Sequence, residues 1–256
     1  MKLTKKTILI TGASSGIGRK IAELLSLREN NIVVVARRKE LLDEVKGIVE
    51  NNGSSCLVIA SDALDEEAAS DAISKAVRHF GCIDVALFNI GDGPSFNMAT
   101  ASAGSIKQNM QVNYDSMVNY LVPIIQHMKI QESGIIAHTN SLAGFLGLPM
   151  QGPYSAAKAA GRILLDSCRI ELAPYGIRVV SLYPGFVATD RVASDGIPAP
   201  FEISETKAAQ HMIKGIEREK SDYLFPRTLK GLITLARILP KPLLGRILTL
   251  ATPRDY

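Results

Sequence analysis

Over roughly the first 185 residues, short aliphatic and β-branched runs alternate with longer stretches of helical period. Residues 7–11, TILIT, read as a strand. Residues 18–29, GRKIAELLSLRE, read as a helix that turns Ile21, Leu24, Leu25 and Leu27 inward. The near-continuous apolar run NIVVVAR, 31–37, is what a strand covered on both faces requires, because neither face can offer polar side chains to water. The series continues with a helix over 39–51, a strand over 56–62, a helix over 65–80 and a strand over 83–91. A long helix over 103–129, a strand over 134–140, a helix over 153–174 and a strand over 177–185 complete it. Such alternation predicts an α/β fold: a doubly wound parallel sheet with helices on both faces and right-handed crossovers. No linker or repeat interrupts it, so the chain reads as one domain over 1–256. After Gly185 the alternation lapses. SDGIPAPFEIS, 194–204, is rich in turn residues, and Ser204 is placed to cap a helix over about 205–219.

Composition narrows this picture. With 46% hydrophobic and 21% charged residues, 256 residues bury a sizeable core. The apolar run ILI near the start is too short for a signal peptide or a spanning helix. Cys56, Cys82 and Cys168 are isolated, with no CxxC pair, so no metal site is expected and a reducing, cytoplasmic compartment is the plain reading. The net charge of +4 sits in the tail: residues 223–256 hold six basic residues against Asp255 alone. No basic stripe with interleaved aromatics exists, so nucleic acid is not an expected partner.

Candidate chemistry begins at TGASSGIG, 11–18, between the first strand and the first helix. Gly12, Gly16 and Gly18 let the backbone turn tightly and pass close to a pyrophosphate, and the helix N-terminus offers unpaired N–H groups to the anion. This is the setting of a Rossmann-type nucleotide site. The second strand ends on Ala36, where an NAD site usually places a carboxylate; Arg37 and Arg38 follow, a pair suited to a 2′-phosphate. NADP is therefore the expected cofactor. Asp62, at the end of the third strand, is a candidate acceptor for the adenine amino group or an ordinary loop residue. Tyr154 and Lys158 in PYSAAKAA, 153–160, stand one helical turn apart. By itself that spacing more often means only two neighbours on a helix surface.

Together, TGASSGIG, NIG (89–91), Asn113, Ser141, YSAAK (154–158) and YPGFVAT (183–189) resemble the short-chain dehydrogenase/reductase family, in order over about residues 7–190. The resemblance implies a catalytic set of Asn113, Ser141, Tyr154 and Lys158. Tyr154 would be the proton donor, with Lys158 lowering its pKa and holding the nicotinamide ribose. Ser141 would donate to the substrate oxygen, and Asn113 would hold a relay water. It also implies cofactor contacts from Gly12, Ser14, Ser15, Gly16, Ile17, Gly18, Arg37, Arg38, Asp62, Ala63, Asn89, Gly91, Tyr154 and Lys158. Pro184, Gly185, Val187 and Thr189 would meet the nicotinamide carboxamide. One departure stands out: the family commonly has Asn-Asn-Ala-Gly where this chain has Phe88-Asn89-Ile90-Gly91, so packing beneath the cofactor is expected to differ.

The resemblance implies a substrate loop at about 190–205, where Pro198, Pro200 and Phe201 suit an apolar ligand. In TLKGLITLARIL, 228–239, Leu229, Leu232, Ile233 and Ala236 form one face and Lys230, Thr234 and Arg237 another. That segment, with LLGRILTL at 243–250, either packs on its own domain or a second subunit, or lies peripherally in a membrane interface. The expectation is an NADP(H)-dependent enzyme interconverting a ketone and a secondary alcohol on an apolar or lipid-like substrate, as a dimer or tetramer. The alternatives are a steroid or small-alcohol dehydrogenase, and a non-catalytic NADP-binding sensor or scaffold.

Overall fold

The computed structural model describes residues 1–189 and 199–252. Seven strands form one parallel sheet: β1 (Thr7–Thr11), β2 (Asn31–Ala36), β3 (Ser55–Ala60), β4 (Val85–Phe88), β5 (Gly134–Thr139), β6 (Ile177–Pro184) and β9 (Asp222–Phe225). Their order is β3-β2-β1-β4-β5-β6-β9, so the winding reverses beside β1. A separate two-residue pair joins β7 (Val187–Ala188) to β8 (Ile203–Ser204).

Successive strand residues point to opposite faces, and each face has its own core. Ile8, Ile10, Ile32 and Val34 pack beneath α1 (Gly16–Ser26) and α2 (Lys39–Asn51). The alternate residues Leu9, Val33, Val35 and Ala86 pack beneath α3 (Glu66–Phe80). Helix α4 (Ala103–Met110) runs through a π-turn at Gln111–Asp115 into α5 (Ser116–Gln131). The expected long helix is therefore present, wound wider at Asn113. Helix α5 covers the second face together with α6 (Gly152–Glu171), and α7 (Glu205–Glu217) covers the first. Ser204 caps α7 as expected, its hydroxyl accepting from Lys207 N at 3.3 Å.

Two readings need correction. Leu27 falls one residue beyond α1 and is 65% exposed, because the helix stops before its fourth apolar position. Strand β9 was not foreseen. DYLF is short and polar at its start, and only its register beside β6, from Ser181 opposite Asp222 to Pro184 opposite Phe225, makes it a strand. It leads into α8 (Arg227–Ala236) and α9 (Lys241–Ala251).

Candidate active site

A cavity of about 550 Å³ opens at the carboxyl ends of β1, β4, β5 and β6, where the winding reverses. This is the crevice in which open α/β sheets bind ligands. The nucleotide end is built by the β1–α1 turn. Gly12 holds φ +66, a left-handed conformation that costs a residue with a Cβ. A Cβ at Gly18 would overlap the carbonyl oxygen of Gly12. Gly18 thus seats α1 against the turn and stands behind the cavity lining. Ser15 is the N-cap of α1 and makes no side-chain cap bond, so the first-turn N–H groups stay open to an anion.

Ala36 closes β2, and both Arg37 and Arg38 line the cavity. Arg38 reaches back across the phosphate turn, donating to Ser14 Oγ at 2.9 Å and Ser15 Oγ at 2.8 Å. Asp62 and Ala63, after β3, line the same end of the cavity. Tyr120 fixes that strand end by donating to Ser61 Oγ at 3.1 Å, as does Asn119 by donating to Ala63 O at 2.9 Å. The glycine turn, the open helix end and the arginines fit a dinucleotide.

At the other end, Ser141, Tyr154 and Lys158 line the same cavity. Ser141 starts a short 3₁₀ turn, Leu142–Phe145, and its Oγ accepts from Ala143 N at 3.1 Å, which leaves the hydroxyl hydrogen free to donate. Lys158 is 2% exposed; its Nζ donates to Thr139 O at 3.0 Å and stands 5.5 Å from the centre of the Tyr154 ring. Burial pushes its pKa down to about 8. Asn140 holds the backbone of α6 in place by donating to Lys158 O at 3.0 Å.

Asn113 lies behind the cavity lining. Its Oδ1 accepts from Asp92 N at 2.9 Å, and its Nδ2 donates to Asp92 O at 2.5 Å and Asn109 O at 3.0 Å. Its amide therefore ties the π-turn to the chain after β4. Lys158 is near as well: a Cβ on Gly91 would be 3.0 Å from both Asn113 Oδ1 and Lys158 Nζ.

The departure at 88–91 is absorbed. Phe88 is buried with its ring 6.4 Å from that of Tyr120, and Ile90 packs on the same core. Asn89 keeps its place: its N–H donates to Thr11 Oγ1 at 3.0 Å, and its Oδ1 accepts from Thr139 Oγ1 at 2.8 Å.

Gly16, Ile17, Gly91, Pro184, Gly185, Val187 and Thr189 also line the cavity. Of the expected substrate loop, residues 190–198 lie outside the described residues, and Pro200 and Phe201 do not line the cavity. The apolar wall comes instead from Leu142, Leu148, Phe186, Leu229 and Ile233, the last two on α8. Gln151 and Gly93 were also missed. Gln151 Nε2 donates to Gly93 O at 3.0 Å, and a Cβ on Gly93 would meet the Tyr154 ring at 2.9 Å. No motif marks either residue.

Residues 6–197 match the family model described as short chain dehydrogenase. The chain belongs to that family. This short-chain dehydrogenase is 29% identical over 242 residues to an uncharacterized oxidoreductase of Myxococcus xanthus, covering 94% of this chain and 96% of the relative. It is 28% identical over 246 residues to 11-beta-hydroxysteroid dehydrogenase-like 3 of Arabidopsis thaliana, covering 93% and 79%. Among solved structures, a short-chain type dehydrogenase/reductase from Mycobacterium marinum aligns with a TM-score of 0.81 at 25% identity, over 88% of this chain and 95% of that one. An alcohol dehydrogenase from Thermococcus sibiricus, complexed with 5-hydroxy-NADP, shares the fold at a TM-score of 0.78 and 24% identity, over 86% and 95%. The short-chain dehydrogenase is thus an oxidoreductase on a Rossmann-type nucleotide-binding fold.

Proposed function

We propose that this short-chain dehydrogenase uses NADP(H) to interconvert a ketone and a secondary alcohol on an apolar, lipid-like substrate. The observation that carries the chemistry is the buried ammonium of Lys158 held 5.5 Å from the Tyr154 ring, beside Ser141 in one cavity. A phenol with an ordinary pKa near 10 is a poor proton shuttle at neutral pH. An adjacent ammonium in a water-poor site stabilises the phenolate and brings the proton within reach. In the reducing direction, Ser141 Oγ–H donates to the carbonyl oxygen and steadies the negative charge that develops there. Tyr154 then gives its proton to that oxygen, and Lys158 compensates the phenolate left behind. NADPH, when bound, supplies the hydride. Asn113 positions the chain beside Lys158 through Asp92, and a relay water beneath the site fits that placement.

The preference for NADP rests on Arg38, whose fork already lies over Ser14 and Ser15, and on the absence of a carboxylate at Ala36. The apolar substrate class rests on the wall of Leu142, Leu148, Phe186, Leu229 and Ile233. A steroid ketone is a second reading of that same wall, favoured by the name of the Arabidopsis relative. Homo-oligomer formation is supported by exposed apolar side chains on α5 and α6, namely Val122, Ile130, Ile163 and Ile170.

Consumption of NADPH against ketones of graded chain length, with a steroid ketone in the panel, tests the reading. Turnover that rises with chain length and prefers NADPH to NADH is expected. No turnover with any carbonyl compound, or full turnover in Tyr154→Phe, would refute it.

A further inference from the structure

The C-terminal helices carry a surface that the redox chemistry does not use. Helix α8 turns Leu229 and Ile233 into the cavity but leaves Leu232 and Leu235 exposed, and Ile238 after it is 77% exposed. None of residues 241–250 is buried; Leu243 and Ile247 are about half exposed and Leu250 is 87% exposed. Large apolar side chains scattered singly on a surface need no explanation, but a contiguous run of them marks an interaction face.

Charge decides what covers this face. Residues 227–252 contain Arg227, Lys230, Arg237, Lys241 and Arg246 and not one carboxylate. All five are exposed, and among the described residues none is ion-paired; Arg237 also lies over the Phe145 ring, and among the described residues the other four make no such contact. A second copy docking through the same face would set this acid-free surface against itself, with like charges opposed around a twofold axis. An anionic bilayer meets both requirements at once: acyl chains take the leucines and isoleucines, and headgroup phosphates take the cations. Among the described residues no helix is long and apolar enough to cross a membrane, so such a contact is peripheral.

We propose that α8 and α9 dock this protein on an anionic lipid surface, bringing the cavity wall formed by Leu229 and Ile233 to the interface. The docking stands independently of which carbonyl compound is reduced. The test is flotation of the full chain with phosphatidylcholine vesicles, with and without phosphatidylglycerol, at low and high salt. The protein is expected to float with the anionic vesicles, to stay in solution with phosphatidylcholine alone, and to be released by salt. Lys241→Gln and Arg246→Gln are each expected to weaken binding about fivefold. Ile238→Asp combined with Leu250→Asp is expected to weaken it more than tenfold, while turnover of a water-soluble ketone is unchanged. Equal recovery in solution with both vesicle types overturns the proposal, as does flotation that these variants leave intact. Light scattering in which Ile238→Asp splits an oligomer that ignores vesicles also overturns it, in favour of a second copy. Normal turnover without flotation refutes the docking alone; flotation without turnover refutes the ketone reading alone.

Discussion

Arg38 and Lys158 are two cations facing one cavity, and they are held in opposite ways. Arg38 lies at the rim and donates from one guanidinium nitrogen, Nη2, to two serine hydroxyls. Lys158 is buried beneath Tyr154 and donates to a single backbone carbonyl. A rim charge costs little to keep and selects what enters, whereas a buried one opposes folding and is retained for what it does to its neighbour. Substitutions at the two ends should therefore fail differently: loss of selectivity at one, and loss of chemistry with a gain of stability at the other.

The largest effect is expected at the buried end. Tyr154→Phe should lower kcat by roughly 10³-fold with the NADPH Kd nearly unchanged, by stopped-flow kinetics and fluorescence titration. Lys158→Met should lower kcat by a similar factor yet raise the Tm of the cofactor-free protein at pH 7. The sign follows from the depressed pKa. The unfolded lysine titrates near 10.5 and the folded one near 8. The stability it contributes is therefore complete above pH 10.5 and lost as pH falls through 8, an effect of at most about 3 kcal/mol. Wild type and variant should converge towards pH 10. A wild type more stable than Lys158→Met at pH 7 would contradict this account.

At the rim, Arg38→Ala should raise the KM for NADPH about 10- to 100-fold and leave that for NADH within about threefold, with Tm unchanged. At the apolar wall, Ile233→Ala should reduce kcat/KM for a long-chain ketone about tenfold and for a small one far less. The smallest effect belongs to His138, fully buried with neither ring nitrogen hydrogen-bonded. Burial, with Lys158 nearby, pushes its pKa well below 6.5. As pH falls below 6.5 the unfolded chain takes up a proton that the folded one refuses, and stability declines by up to about 1.4 kcal/mol per pH unit. His138→Leu should flatten that slope in denaturant titrations between pH 6.5 and 5.

What could be read from residues was whatever local chemistry dictates. Apolar runs such as 31–37 announce strands buried on both faces, and the helix over 39–51 begins and ends where its pattern does. TGASSGIG declares itself because a turn fixes its geometry locally, and the Tyr154–Lys158 spacing gains its meaning only beside Ser141 and the other motifs. Features set by tertiary register were hidden. Strand β9 exists only because β6 offers it an edge, and Gln151 reaches Gly93 only because the fold brings residues 58 apart together. Leu229 and Ile233 were visible as an apolar face, but nothing in their spacing says that the face walls a cavity.

Phe145 extends the reach of that face. It closes the turn that begins at Ser141, its ring lies 4.8 Å from that of Tyr183, and the guanidinium carbons of Arg162 and Arg237 stand 5.1 and 5.0 Å from its centre. Arg237 ends α8, so the C-terminal helix grips the same ring that anchors the serine turn. Helix α8 is thereby a clamp on the Ser141 turn as well as a wall. Removing residues 227–256 would unlatch Ser141, whereas changing only the outward leucines would leave the clamp closed.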